Sequence, residues 1–264
     1  MVRLWPYGGV VRILAFASSE LGGEGSLARR DTRKRVLRLH FGRAARVSAG
    51  QNARMRVDVW ADFICPWCYL GKRRLELALE RFQTPVEVHW RSFQLDPDFP
   101  RDFSGSVNDL LVRKYGMSRV EAEAIHERVT RLGVEDGVVY RFDRCRPSNT
   151  FDAHRLLQAA SRRGLGSALQ DRLMKAYFSE GAYLGDARTL VSLAGEIGFD
   201  ASDSHSVLES AAFSDEVESD QRQANELGYR GVPAFLFAEK VQLSGAQSPD
   251  TLLAALERAE RASR

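Results

Sequence analysis

Val57-Asp58-Val59-Trp60-Ala61-Asp62-Phe63-Ile64-Cys65-Pro66-Trp67-Cys68-Tyr69-Leu70-Gly71 is the stretch on which the fold turns. Its first seven residues alternate, with Val57, Val59, Ala61 and Phe63 on one face, which predicts a half-buried strand. A helical period follows: Cys68, Gly71, Leu75, Ala78, Leu79 and Phe82 share one stripe, while Lys72, Arg73, Glu76, Glu80 and Arg81 fall off it. Pro66 suits the first helical turn, where a missing N–H costs no hydrogen bond. Thr84-Pro85 ends this helix, and Val86-Glu87-Val88-His89-Trp90 alternates again. Strand, helix and strand within about 35 residues make a unit of the length a parallel crossover needs.

Beyond Ser104 the pattern is helical as far as Gly228. Separate helices are expected over 108–115, 118–132, 149–163, 168–179 and 187–197, with two more from Asp203 and Ser214. Asn149, with Asp152 three residues on, is a candidate cap for the third. Strands return at Ala234-Phe235-Leu236-Phe237 and Val241-Gln242-Leu243, and Ser248-Pro249-Asp250 opens a last helix to Ala262. The order is βαβ, a helical block, then ββα. The expected fold class is therefore α/β, with the block at 104–228 read as an insertion into a smaller domain built from 55–103 and 229–264.

Composition sets outer limits. Of 264 residues, 44% are hydrophobic and 28% charged, which excludes a wholly disordered chain or a disulfide-dense module, and three cysteines make no disulfide framework. No run approaches 18 uncharged apolar residues. The net charge of +3 hides a split: residues 1–54 carry eleven Lys and Arg against three acids, whereas the remainder is net acidic. That segment holds seven glycines and the run Arg29-Arg30-Asp31-Thr32-Arg33-Lys34-Arg35. Arg3 and the stretch 8–17 imitate a secretory signal, but Arg12 interrupts the apolar core a signal needs. Residues 1–54 are expected to be a basic upstream extension with little fixed structure, and neither a nucleic-acid nor a membrane partner is expected.

Cys65 falls where strand gives way to helix, so unpaired helix amides and the macrodipole favour its thiolate and make it the expected nucleophile. Cys68, one turn on, lies on the apolar stripe within reach of Cys65. Cys65 is expected to be the exposed attacking thiol and Cys68 the buried resolving one. Two alternatives are weaker. A structural zinc site needs four ligands, yet only Cys145 remains and the five histidines lack ligand spacing, so no metal is expected. Two incidental buried cysteines would not explain the βα placement. Trp67 is expected to lie exposed beside the thiols, and Asp62 to accept a proton during exchange or to face solvent. Cys145, between Arg144 and Arg146, is expected to be a bystander on a polar loop, with those arginines able to activate it.

Taken together, Asp62-Phe63-Ile64-Cys65-Pro66-Trp67-Cys68-Tyr69-Leu70-Gly71, Asn149-Thr150-Phe151-Asp152-Ala153-His154-Arg155-Leu156, Gly231-Val232-Pro233-Ala234-Phe235 and Ser244-Gly245-Ala246-Gln247 resemble the DsbA-like group of the thioredoxin superfamily. The nearest likeness is to its cytosolic FrnE-type members, related to 2-hydroxychromene-2-carboxylate isomerases and kappa-class glutathione transferases. The resemblance implies a thioredoxin fold with a helical insertion. It implies a cis Val232–Pro233 bond beside the cysteine pair, and a Val232 backbone that pairs with an extended substrate segment. Pro66, Trp67, Val232 and Pro233 become candidate substrate contacts, and Asp62 and His154 candidate supports. It further implies thiol–disulfide exchange through a mixed disulfide, cytoplasmic residence, no bound cofactor, and glutathione or a protein or small-molecule disulfide as partner, with a homodimer expected from apolar faces of the insertion. The rival function is a glutathione-dependent isomerase or transferase, whose members generally carry serine where Cys65 stands.

Overall fold

The computed structural model describes residues 54–100 and 103–264; the expected N-terminal extension lies outside the described residues, apart from Arg54. Strand β1 (Met55–Ala61) leads into α1 (Pro66–Leu79) and β2 (Val86–Ser92). Then come α2 (Val107–Tyr115), α3 (Arg119–Asp136), α4 (Phe151–Arg162), α5 (Gly166–Lys175), α6 (Ala187–Glu196), α7 (Ala201–Leu208) and α8 (Ser214–Glu226). The chain closes with β3 (Ala234–Phe237), β4 (Val241–Ser244) and α9 (Pro249–Ser263). The sheet order is β2-β1-β3-β4, with β2 parallel and β3 antiparallel to β1, and β4 antiparallel to β3. This is a thioredoxin-like α/β fold in which, among the described residues, seven α-helices and a π-helical turn lie between β2 and β3.

Strand β1 is central, and both its faces are covered rather than one. Val57 and Val59 sit opposite Phe237 and Phe235, on the side of the sheet that meets α1. The alternate residues Asp58 and Trp60 are equally buried, because the inserted helices close the other face. A polar network makes that closure possible. Arg91 donates to Asp58 at 2.7 Å and to Asp220 of α8 at 3.1 Å, and the Trp60 indole donates to the Asp220 carbonyl at 3.0 Å. Asp220 also accepts the Ser92 N–H at 2.8 Å and the Gln158 side chain at 2.6 Å. Burial raises the Asp220 pKa, and these donors oppose the rise.

Local departures have local causes. Helix α1 ends at Leu79, five residues before Thr84, and its Lys72, off the apolar stripe, is nonetheless buried through ion pairs to Glu76 and to Asp171 of α5. The N-cap of α4 is Thr150, without a side-chain bond, while Asn149 instead accepts the Phe151 N–H at 2.9 Å. The segment expected as one helix over 168–179 is α5 followed by a π-helical turn, Ala176–Glu180, that ends at Gly181 with a φ of 78°. Ser248 caps α9 by accepting the Thr251 N–H at 3.2 Å, with Pro249 in its first turn.

Gly71 is the tightest point in the sheet–helix packing. A β-carbon there would stand 2.7 Å from Pro233 Cγ, 3.3 Å from Pro233 Cβ and 3.4 Å from the Phe235 ring. Gly195 in α6 has nothing within 4 Å of the same position. Gly71→Ala is therefore expected to lose about 1–3 kcal/mol in urea unfolding through overpacking. Gly195→Ala should gain about 0.5–1 kcal/mol from helix propensity alone. Equal effects of the two substitutions would contradict this packing.

Candidate active site

Cys65 occupies the N-cap of α1 with an extended backbone (φ −87°, ψ 112°) and makes no side-chain capping bond, so its thiol is left for other work. Its N–H donates to the Asp62 carbonyl at 3.2 Å, and its carbonyl accepts the N–H groups of Cys68 at 3.0 Å and Tyr69 at 3.3 Å. These bonds fold the segment into the first turn of α1 and bring the cysteines together as free thiols. The Cys65 thiol donates to the Val232 carbonyl at 3.6 Å, across 167 residues of chain. The Val232–Pro233 peptide is cis, and the Pro233 carbonyl is held by the Gly245 N–H at 2.7 Å.

Both thiols are buried: Cys65 is 3% exposed and Cys68 1%. The expectation of an exposed Cys65 is thus corrected, because the Val232 segment from the far end of the chain closes over it. Trp67 is half-buried against the core rather than exposed. Burial pushes the Cys68 thiol well up, helped by its hydrogen bond with Cys65 and the Cys65 and Asp62 charges; a main-chain hydrogen bond from Asp62 pulls the other way.

Asp62 does not face solvent. It is fully buried just past the end of β1, and its Oδ2 accepts the Leu95 N–H at 2.8 Å. Its Oδ1 stands 3.5 Å from Nε2 of His154, which α4 brings in from the insertion, and the imidazole also packs 4.7 Å from the Phe63 ring. Asp62 and His154, 92 positions apart, are therefore neighbours behind the cysteines.

Two tyrosines from the insertion also reach this place, and no spacing or alternation marked either. The Tyr140 hydroxyl donates to the Pro66 carbonyl at 2.7 Å. Its ring fits because residue 133 is glycine: a β-carbon there would meet Tyr140 at 2.6 Å. Tyr115, at the end of α2, is half-buried, and burial with the nearby Cys65, Asp96 and Asp62 charges pushes its hydroxyl up to about 12.

Cys145 is not on a polar loop surface. It is buried and donates to the Arg141 carbonyl at 3.5 Å and the Tyr177 carbonyl at 3.4 Å. Burial, with a smaller push from Asp143, raises its thiol to about 12, opposite to the activation its flanking arginines suggested. It borders a pocket of about 680 Å³ on the insertion side of Tyr140, shared with His126, Arg131 and Phe142. His126 stacks on Phe142 at 4.0 Å, and burial lowers its pKa to about 4, leaving it neutral near pH 7.

With this geometry in place, comparison with known proteins is specific. The family model described as a DSBA-like thioredoxin domain matches residues 56–257. The uncharacterized protein YwbO of Bacillus subtilis (strain 168) is 30% identical over 202 residues, covering 74% of this chain and 92% of YwbO. A probable DsbA oxidoreductase from Streptomyces coelicolor, known from a crystal structure, is 40% identical with a TM-score of 0.74, over 79% of this chain and 91% of that one. The fold alone is shared with two more distant structures. A 2-hydroxychromene-2-carboxylate isomerase has a TM-score of 0.63 at 18% identity, over 79% of this chain and 98% of that one. The cytosolic disulfide reductase DsbM from Pseudomonas aeruginosa, solved with GSH, has 0.55 at 20%, over 78% and 99%.

The raised Cys145 thiol gives a direct check. In the native chain at pH 8 its alkylation should be roughly a thousandfold slower than in denaturant, because the thiolate is the reactive form. The rate should climb about tenfold per pH unit until near 12. Peptide mass spectrometry measures both, and alkylation at the denatured rate would contradict the burial described.

Proposed function

The chain belongs to the DSBA-like thioredoxin domain family, and we propose that it is a thiol–disulfide oxidoreductase working through Cys65 and Cys68. The observation that carries this reading is the placing of two free, buried thiols at the start of α1, with the Cys65 thiol against the Val232 carbonyl. The Cys65 thiolate attacks a substrate disulfide, releasing one thiolate and forming a mixed disulfide. Cys68 then attacks the Cys65 sulfur, releasing the second substrate thiolate and leaving a Cys65–Cys68 disulfide. In reverse, the oxidised pair takes two electrons from a substrate dithiol.

Val232 and Pro233 lie beside the thiols, and in this reading an extended substrate segment pairs with the Val232 backbone once it gives way. Pro66 and Trp67, on the turn between the cysteines, complete the contact surface. Substrates are thiols and disulfides of proteins or small molecules. Glutathione is the candidate small partner, supported by the fold shared with DsbM, which was solved with GSH. A cytoplasmic, FrnE-type protein acting as a homodimer remains part of this proposal. Among the described residues no helix is long and apolar enough to cross a membrane. The fold is also that of a 2-hydroxychromene-2-carboxylate isomerase, but paired cysteines at 65 and 68 favour redox chemistry over glutathione activation.

The reading predicts an asymmetry between the cysteines. Cys65→Ser should abolish turnover of a model disulfide, by a thousandfold or more. Cys68→Ser should instead accumulate a mixed disulfide on Cys65, visible by intact-mass spectrometry as one substrate thiol per chain. Full turnover in Cys65→Ser would end the proposal.

A further inference from the structure

The pocket of about 680 Å³ in the insertion takes no part in the exchange chemistry. Helix α3 and the N-terminal turn of α2 form one side of it, and the segment 140–145 forms the other. Among the described residues Cys65 and Cys68 do not line it, and Cys145 is the one cysteine in its wall. Its volume falls within the range of about 300–1,000 Å³ usual for small-molecule sites.

Three rings line its inner wall. His126 stacks on Phe142 at 4.0 Å and 15°, and Phe142 lies 5.3 Å from Tyr140 and parallel to it within 1°. A planar aromatic compound packs favourably against such a stack, by face or by edge. None of the buried groups is charged near pH 7: burial alone lowers His126 to about 4, and burial pushes the Cys145 thiol and the Tyr140 hydroxyl up. The charged residues of the pocket, Arg119 and Arg131 against Glu123, Glu127 and Asp143, are all exposed. Water screens them at the rim, and their signs nearly cancel, so an anion that gave up its hydration inside would gain little in return. Asn108 supplies the polar contact. Its Oδ1 is buried and has no hydrogen-bond partner, which is destabilising unless something fills the space beside it. A hydroxyl both donates and accepts, so it satisfies this amide whichever way its O and N atoms are turned.

We propose that this pocket binds a neutral, planar aromatic compound bearing a phenolic hydroxyl, with its rings against Tyr140, Phe142 and His126 and its hydroxyl on the Asn108 amide. Binding is non-covalent and needs neither Cys65 nor Cys68, so the inference goes beyond the disulfide-exchange reading and does not rest on it. The site is separate from the thiols but close to them. Tyr140 belongs to both places, lining the pocket with its ring while its hydroxyl holds the Pro66 carbonyl at 2.7 Å. The bound compound therefore lies one side chain away from the turn that carries the cysteines.

The test uses the full chain carrying Cys65→Ser and Cys68→Ser, in which no exchange chemistry intervenes and Cys145 is the only thiol. The neutral probe is 2-naphthol, and naphthalene-2-carboxylate is the anionic probe of similar shape. Ligand-observed NMR titration at pH 7 is expected to show saturable binding of 2-naphthol with Kd below about 1 mM, and binding of the carboxylate at least tenfold weaker. Asn108→Leu removes an acceptor that already lacks a partner, so it should leave the urea midpoint unchanged while weakening 2-naphthol about tenfold, the worth of one hydrogen bond. Thr130→Trp fills the pocket from α3 and should abolish binding. Saturating 2-naphthol should also slow alkylation of Cys145 at pH 8 at least fivefold. Absence of saturable binding overturns the site. Unchanged affinity in Asn108→Leu and Thr130→Trp, or an unprotected Cys145, overturns its location, and a carboxylate that binds as tightly overturns the neutral class. Should Thr130→Trp fail to fold, Asn108→Leu and the protection of Cys145 decide the location between them.

Discussion

Helix α1 lies against the Val232–Pro233 segment more closely than a β-carbon allows, with Gly71 facing Pro233 across a gap in which that carbon would stand 2.7 Å from Cγ. Much of the site follows from this approach. It seats α1 on the sheet beside Phe235, and so sets the height of its first turn relative to β3. Cys65, six residues earlier, then meets the Val232 carbonyl, and Cys68 is pressed into the core beneath. The same approach closes the site, because the segment that lies over Cys65 is the one that α1 abuts. In the proposed reading, substrate access requires that the Val232 side of this contact yield while the Gly71 side holds.

The insertion is more than a cover. Its α8 and α4 supply Asp220 and Gln158 to the polar network that satisfies Ser92, Arg91 and Trp60 on the second face of the sheet. Without them Asp58 and Trp60 would need a solvated surface. Once the helices are docked by this network, Tyr140 reaches the Pro66 carbonyl and His154 reaches Asp62. Removal of one member leaves a buried donor or acceptor unpaired, which generally costs about 1–3 kcal/mol. The turn that carries Cys65 and Cys68 thus depends on groups from the inserted helices as well as on its own strand and helix.

Alternation and helical spacing carry the element order well, because Val57, Val59, Phe235 and the α1 stripe all serve one core. They miss whatever depends on contact between distant segments. The half-buried pattern of β1 is misleading because Asp58 and Trp60 point into a network whose other members lie 30 to 160 residues away. An N-cap position suggests an exposed thiol, but Val232 buries Cys65. Flanking arginines suggest a reactive Cys145, yet its own sulfur faces the carbonyls of Arg141 and Tyr177. His154 is marked only by motif likeness and Asp62 also by its place three residues before Cys65, but neither signal shows that the two face each other. Tyr115 and Tyr140 carried no local signal at all.

The central claim is that Cys65 and Cys68 form a reversible two-electron couple. It is tested most directly by equilibrating the full chain, with Cys145→Ser, across a series of glutathione and dithiothreitol redox buffers, then trapping thiols and weighing the products. The account predicts a single Nernstian transition with a two-electron slope, in which both thiols disappear together and the oxidised chain is two mass units lighter. A chain in which Cys65 only takes up glutathione, with Cys68 still free at every potential, would contradict it and favour a glutathione-dependent transferase or isomerase.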